Sequence, residues 1–84
     1  MISGLINEDM DKRLTDLSAA VEDGREVVFT FEPEFGHLPD RALVYIPDVG
    51  RRFVFDRAMT ESVADQLSAN GHVETADRLR AVFA

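Results

Sequence analysis

Apolar residues recur at helical spacing in the first quarter of the chain. They are three or four residues apart and fall at Ile6, Met10, Leu14, Leu17 and Val21. This spacing gives a helix one apolar stripe, so the sequence predicts a helix over 7–23. Asn7 is expected to cap its N-terminus, and Gly24 is expected to end it.

The middle of the chain changes to runs rich in β-branched and aromatic residues. These runs predict strands over 25–32, 42–47 and 51–56. A four-residue turn over 47–50 joins the last two strands as a hairpin. The stretch 33–40 holds two prolines and a glycine, and it predicts an irregular loop.

The predicted sheet is apolar on both faces. If Ile46 pairs with Arg51, the inward face holds Val27, Phe29, Phe31, Ala42, Val44, Phe53 and Phe55. The outward face then holds Val28, Leu43, Tyr45 and Val54, diluted by Thr30 and Arg52. A solvated face would be more polar, and a chain of 84 residues has little material to cover two faces. We therefore expect the outward apolar residues to form a homodimer interface.

Two short helical patterns complete the chain. The first covers 58–69, with Thr60 as its expected N-cap, and ends at the Asn70-Gly71 pair. The second covers 72–83. Their apolar stripes are Met59, Val63 and Leu67, then Val73, Ala76, Leu79 and Phe83. The sequence thus predicts a single α+β domain over 1–84, ordered αβββαα. In it, an N-terminal helix and a C-terminal helical pair pack on a three-stranded antiparallel meander.

Charge narrows the classes of function. The chain has a formal net charge of −7, and 7–23 carries six acids against Lys12 and Arg13. Such a chain repels phosphate backbones, which disfavours direct nucleic-acid binding. The sequence has no cysteine, no apolar run long enough for a membrane span and no secretory signal pattern. These features favour a cytoplasmic protein without a membrane partner.

The loop over 33–40 holds the main candidates for chemistry. His37 and Asp40 follow Glu32 and Glu34, so an enzyme would use His37 as a general base or the four side chains as metal ligands. The competing interpretation is a solvated turn in which Asp40 caps or pairs with Arg41. The spacing matches no known motif, so the sequence predicts no catalytic residue, metal site or cofactor.

Two other groups of polar residues have ordinary structural explanations. His72 follows Asn70-Gly71, where a DNA-binding helix-turn-helix would need a small residue in place of Leu67. We therefore expect a helical hairpin that closes the core. The basic cluster of Arg51, Arg52 and Arg57 has two interpretations. It either binds an anion or an acidic partner, or it balances the negative charge of the acidic helices in the same chain or in a second copy.

Partner-binding residues are predicted in two places. Phe35 and Leu38 flank Gly36 in the loop, and they either pack on the core or stand exposed as an anchor. On the first helix, the acids Glu8, Asp9, Asp11 and Asp16 lie mostly off the apolar stripe. They either solvate the helix or bind a basic protein surface, where they would mimic nucleic-acid phosphates.

These patterns favour a small non-enzymatic module for protein–protein interaction. Its expected partner has a basic, nucleic-acid-handling surface, and the module itself is expected to be a homodimer. A small acidic domain without cysteine would suit an inhibitory or accessory protein from a phage or plasmid. The alternative is a small-ligand or metal-dependent enzyme that uses the 32–40 loop.

Overall fold

The computed structural model describes the backbone of residues 2–84 and the side chains from residue 11 onward. Its elements are α1 (Ile2–Glu22), β1 (Val28–Glu32), β2 (Arg41–Ile46), β3 (Arg51–Asp56), α2 (Arg57–Ala69) and α3 (Val73–Ala81). The three strands form one antiparallel sheet in the order β1-β2-β3. This is the predicted αβββαα arrangement of an α+β fold.

Helix α1 is longer than predicted at its N-terminus. It begins at Ile2 and runs through Asn7, so the predicted cap at Asn7 is wrong. The helical spacing of apolar residues continues back to Ile2 and Leu5, and no proline interrupts it. Its predicted end is confirmed. Gly24 adopts φ +72°, and the N–H of Arg25 donates to the carbonyl of Ala20 at 2.9 Å.

The predicted strand register is confirmed. Ile46 pairs with Arg51, and the same register places Val44 opposite Phe53 and Ala42 opposite Phe55. A short 3₁₀ turn at Pro47–Val49 joins β2 and β3. Gly50 adopts φ +63° there and donates its N–H to the carbonyl of Pro47 at 3.1 Å. The left-handed conformation favours glycine because a side chain would strain it.

Strand β1 is shorter and less buried than predicted. It begins at Val28 rather than at residue 25, because Gly24 and Arg25 still belong to the cap of α1. Phe31 was expected in the core but is 44% exposed, since it lies near the end of an edge strand. Val27 precedes the strand and is buried, and Phe29 is half-buried against the core.

All three helices contribute to one core on the inward face of the sheet. The sheet and the residues before it supply Val27, Ala42, Val44, Ile46, Phe53 and Phe55, and the helices supply Leu17, Ala20, Val63, Ala64, Leu67, Ala76 and Leu79. Leu14 and Val21 of the α1 stripe are half-buried against this cluster. Ile6 and Met10 lie outside the described side chains. The fold therefore uses one side of the sheet for its core.

The predicted cap of the second helix is wrong by four residues. Helix α2 begins directly after β3, and its N-cap is Asp56, whose Oδ1 accepts from the N–H of Met59 at 2.8 Å. Thr60 is instead buried inside the helix. Asn70 and Gly71 end α2 as predicted.

Helix α3 is slightly shorter than the predicted 72–83 range. In its predicted stripe, Ala76 and Leu79 are buried and Phe83, beyond the helix, packs against the core. Val73 was expected to share that face but is 54% exposed, because it lies in the first turn. In the described part of the chain, none of the helices has the length and apolarity needed to cross a lipid bilayer.

Candidate partner-binding surface

The loop between β1 and β2 contains a small hairpin. The N–H of Phe35 donates to the carbonyl of Leu38 at 3.0 Å, and the N–H of Leu38 donates back to the carbonyl of Phe35 at 2.9 Å. Gly36 has φ +59°, at the position where a type II′ turn requires glycine. The stretch 33–40 forms no helix or strand, as predicted, but within it residues 35–38, which we call the tip, close a tight turn.

The tip places both of its apolar side chains in solvent. Phe35 is 79% exposed and Leu38 is 50% exposed. Of the two alternatives for this pair, the structure has the exposed one. Full burial of a large apolar side chain stabilises a protein by about 1.5–3 kcal/mol. Because most of Phe35 is exposed, it contributes little of this free energy to the fold of the chain itself.

A set of four side chains fixes the base of the loop. Arg57, the first residue of α2, donates to Asp40 from Nη2 at 2.7 Å and from Nε at 3.1 Å, both to Oδ2. The guanidinium also lies over the ring of Phe83, 4.7 Å from its centroid. Phe83 in turn meets Phe31 edge-to-face, with ring centroids 6.0 Å apart. We call Phe31, Asp40, Arg57 and Phe83 the Arg57 clamp.

The clamp corrects the expected partner of Asp40. The carboxylate pairs with Arg57 rather than with Arg41. The hydrogen bond from Arg57 lowers the pKa of Asp40 below its ordinary value of 3.8, although partial desolvation opposes this shift. The same bond raises the pKa of Arg57. Both groups are therefore charged at neutral pH, and Asp40 is not available to orient a catalytic base.

Three of the four described acids in the predicted 7–23 helix lie beside a basic side chain of the same chain. Asp16 is only partly exposed and accepts from Nε of Arg51 at 2.8 Å. Asp23 lies 3.7 Å from Arg25, and Glu22 lies 3.7 Å from His72. The described remainder of the predicted acidic face is Asp11, which is exposed. Glu8 and Asp9 lie outside the described side chains.

The predicted basic cluster does not form a single site. Arg51 pairs with Asp16, which confirms that it offsets the acidic helix, and Arg57 belongs to the clamp. Arg52 is exposed on the outward sheet face, where its guanidinium lies 4.8 Å from the centroid of the Tyr45 ring. The three arginines therefore have three different surroundings.

The residues of the predicted dimer interface lie together on the outward face of the sheet. Val28 is 36% exposed, and Leu43, Tyr45 and Val54 are half-buried. They do not belong to the core cluster, whose residues lie on the inward face. Arg13 of α1 reaches the edge of this region, where it donates to the carbonyl of Val54 at 2.9 Å.

The two histidines lie in different surroundings, His37 at the tip and His72 in the turn between α2 and α3. His37 is exposed at the tip, and its expected carboxylate, Asp40, is held by Arg57. Within residues 11–84, no three side chains of the metal-ligating types converge on one point. His72 precedes α3, and its backbone N–H donates to the carbonyl of Leu67 at 2.8 Å in the α2–α3 turn. This contact fits the expected helical hairpin.

An open cleft of about 440 Å³ lies between α1 and the β2–β3 turn. Its lining includes Ala19, Ala20, Ile46 and Val49. The Asp16–Arg51 pair also lines it, and Arg25 on its rim pairs with Asp48 at 3.2 Å. Lys12 also lines the cleft and forms no ion pair with another described side chain, whereas Asp16, Asp23, Arg25 and Arg51 are paired. One such cation is not the convergent set of polar groups that a specific ligand site has.

Sequence reasoning found the tip but missed the clamp that supports it. Arg57 and Phe83 are 26 positions apart in the sequence, and no local pattern links them. Comparison of the chain with family models, curated proteins and solved structures gives no match. The functional interpretation therefore depends on the geometry of the chain itself.

Proposed function

We propose that this chain is a non-enzymatic protein-binding module that inserts Phe35 and Leu38 into an apolar pocket of its partner. The observation that carries the proposal is the exposure of both side chains on a hydrogen-bonded hairpin. Large aromatic side chains that become desolvated in a partner's pocket dominate the energetics of many interfaces. Phe35 has the position and the exposed area for this role.

The support of the tip favours binding as well. Two backbone hydrogen bonds close the hairpin, and the Arg57 clamp holds its base. A contact segment that is already ordered pays less conformational entropy when it binds. The apolar side chains at the tip are thus presented in a geometry that the fold maintains before any partner arrives.

The charges near the tip favour a partner with a basic rim around its pocket. Glu34 is exposed beside Phe35, and within the described residues no cation forms an ion pair with it. The chain as a whole has a net charge of −7. Such charges act mainly by steering association with an oppositely charged surface. Asp11 adds to the acidic surface on α1, and a contribution from Glu8 and Asp9 stays a prediction.

An accessory or inhibitory role follows naturally from this proposal, since a module of this size acts by occupying a surface of another protein. The alternative, an enzyme that uses the 32–40 loop, has less support. Its general base would be His37, which is exposed and has lost its expected orienting carboxylate to Arg57. Among the described residues, no other carboxylate forms an ion pair with His37.

Affinity capture from a lysate of the source organism tests the proposal. The double variant F35S/L38S removes the apolar tip. The variant Val73→Ser is a matched control, because it removes an exposed apolar side chain in the first turn of α3, outside the tip. We expect the wild type, Val73→Ser and His37→Ala to retain the same protein and F35S/L38S to lose it. Equal retention by F35S/L38S would contradict the proposal, and loss with His37→Ala alone would favour the enzyme.

A further inference from the structure

The outward face of the sheet consists of three rows of residues that run across the strands. The strand register aligns Val28, Tyr45 and Arg52 in the Arg52 row, Thr30, Leu43 and Val54 in the central row, and Glu32, Arg41 and Asp56 in the acidic row. The central row carries no charge. The Arg52 row has a net charge of +1, and the acidic row, with two carboxylates and one guanidinium, has a net charge of −1.

We propose that this face binds a second copy of the chain, with a two-fold axis that runs across the strands along the central row. This axis turns the partner's sheet end over end, so each Arg52 row faces the partner's acidic row. Opposite net charges then meet at both ends, while the apolar residues of the central row meet at the axis. A two-fold interface uses the same patch twice, so it must be self-complementary in this way.

The charged residues of the outward face disfavour the other simple arrangement, in which the two-fold axis runs parallel to the strands. An axis parallel to the strands would place each row over its own copy. Glu32 would then face the partner's Asp56, and Arg41 would face the partner's Arg41. Like charges set opposite one another across an interface are destabilising, so the axis across the strands is the arrangement that this face supports.

The size of the face sets the expected strength of the dimer. Three strands about 4.8 Å apart and five or six residues long give a patch of about 14 by 18 Å. A flat patch of this size covers about 250 Å² on each copy and about 500 Å² over both, which is below the roughly 1,000 Å² of a stable specific interface. We therefore expect a weak, transient dimer that forms only at high protein concentration. This inference does not depend on the proposed function, because Phe35 and Leu38 are not among the contacting residues.

Cross-linking tests the position of the axis directly, because the chain has no native cysteine. Val54 lies on the proposed axis, so Val54→Cys places two thiols opposite each other. Tyr45→Cys would do so only with the axis parallel to the strands. Ser62→Cys, on the exposed face of α2, measures chance encounters.

With a short bis-maleimide at high protein concentration, the same for all variants, we expect Val54→Cys to form covalent dimer at least about tenfold faster than Ser62→Cys, because the interface raises the effective concentration of thiols. Circular dichroism confirms that each variant is folded. Fast linking of Tyr45→Cys without Val54→Cys would overturn the proposed axis. If Val54→Cys and Tyr45→Cys both cross-link at the rate of Ser62→Cys, the proposed dimer is wrong.

A charge change tests the second half of the inference. In the Val54→Cys background, Arg52→Glu gives the Arg52 row the same sign as the row that it faces, whereas Arg52→Lys keeps the charge. We expect Arg52→Glu to slow cross-linking about tenfold at low salt, since two symmetric contacts change sign, and less at high salt. Equal rates for Arg52→Glu and Arg52→Lys at low salt would show that charge does not orient the two copies.

Discussion

The two faces of the sheet consist of alternate residues of the same strands, yet they differ in what they contact. On β2 and β3 the apolar residues of the inward face are 0–8% exposed, and they pack against all three helices. Their neighbours Leu43, Tyr45 and Val54 are half-buried and do not enter the core. Side-chain alternation therefore places one set of apolar residues in the core and a second set on the outward face, outside the core. Residues of the second kind are the candidates for contact with other molecules.

The largest effect should come from truncating the inward face. Phe55→Ala removes a side chain with no solvent exposure, and we expect a loss of about 3–5 kcal/mol in the free energy of unfolding. Since a small domain has only about 5–15 kcal/mol in total, the variant should be largely or partly unfolded. Its neighbour Val54→Ala, on the outward face, should cost about 1 kcal/mol.

Urea unfolding followed by circular dichroism, at protein concentrations low enough to keep the chain monomeric, measures both variants. The comparison of the two faces fails if Val54→Ala costs as much as Phe55→Ala. It also fails if Phe55→Ala unfolds within a few tenths of a molar of urea of the wild type.

A smaller effect should appear at Asp56, which follows the outward alternation but serves the fold as the cap of α2. Asp56→Ala should cost about 1 kcal/mol of unfolding free energy, because it leaves the N–H of Met59 without its side-chain acceptor. Asp56→Asn keeps a good capping side chain and removes the charge, so it should cost much less in the monomer. Thermal unfolding of the wild type, Asp56→Ala and Asp56→Asn measures their relative stability. Equal losses of stability in the two variants would show that the capping hydrogen bond does not contribute.

Loss of the clamp should loosen the tip without unfolding the domain. Arg57→Ala removes the ion pair with Asp40 and the contact with Phe83. An exposed ion pair adds little to the free energy of unfolding, so the domain should stay folded. Hydrogen exchange of the Phe35 and Leu38 amides should accelerate, while that of Gly50, in the other turn, should not change. Acceleration at all three amides would indicate global destabilisation instead of a local role.

The smallest expected effect depends on pH. Because Arg57 lowers the pKa of Asp40 in the folded chain, the pair stabilises the fold above the ordinary carboxyl pKa, and this contribution is lost as pH falls through the lowered pKa. The difference in melting temperature between the wild type and Asp40→Asn should therefore be present at neutral pH and shrink below pH 3.8. A difference that does not change between neutral and strongly acidic solution would mean that Asp40 acts by packing alone.

Most of the fold could be predicted from local patterns, because those patterns act over a few residues. Helical spacing identified the stripe through Leu17, alternation identified both sheet faces, and the Pro47–Gly50 turn set the strand register. The errors arose where two elements meet. Asp56 caps α2 because the helix starts without a linker after β3, and a spacing argument inside the helix pointed to Thr60 instead.

The candidate site was only partly predictable for a related reason. The sequence showed that Phe35 and Leu38 are apolar residues in a loop, but it left their exposure open. Their exposure depends on the hairpin around Gly36 and on the clamp between Asp40 and Arg57, which are 17 positions apart. Likewise, Asp16 was expected to be exposed on α1, and only the packed structure shows its pairing with Arg51.

Site-specific photo-cross-linking at the tip tests the central claim most directly. A photoreactive phenylalanine analogue replaces Phe35 in one protein and Val73, another exposed apolar residue, in a second. The chains are then irradiated in cells of the source organism. The account predicts a covalent adduct with a distinct protein from position 35 and none from position 73. No adduct at position 35, or the same adducts from both positions, would contradict it.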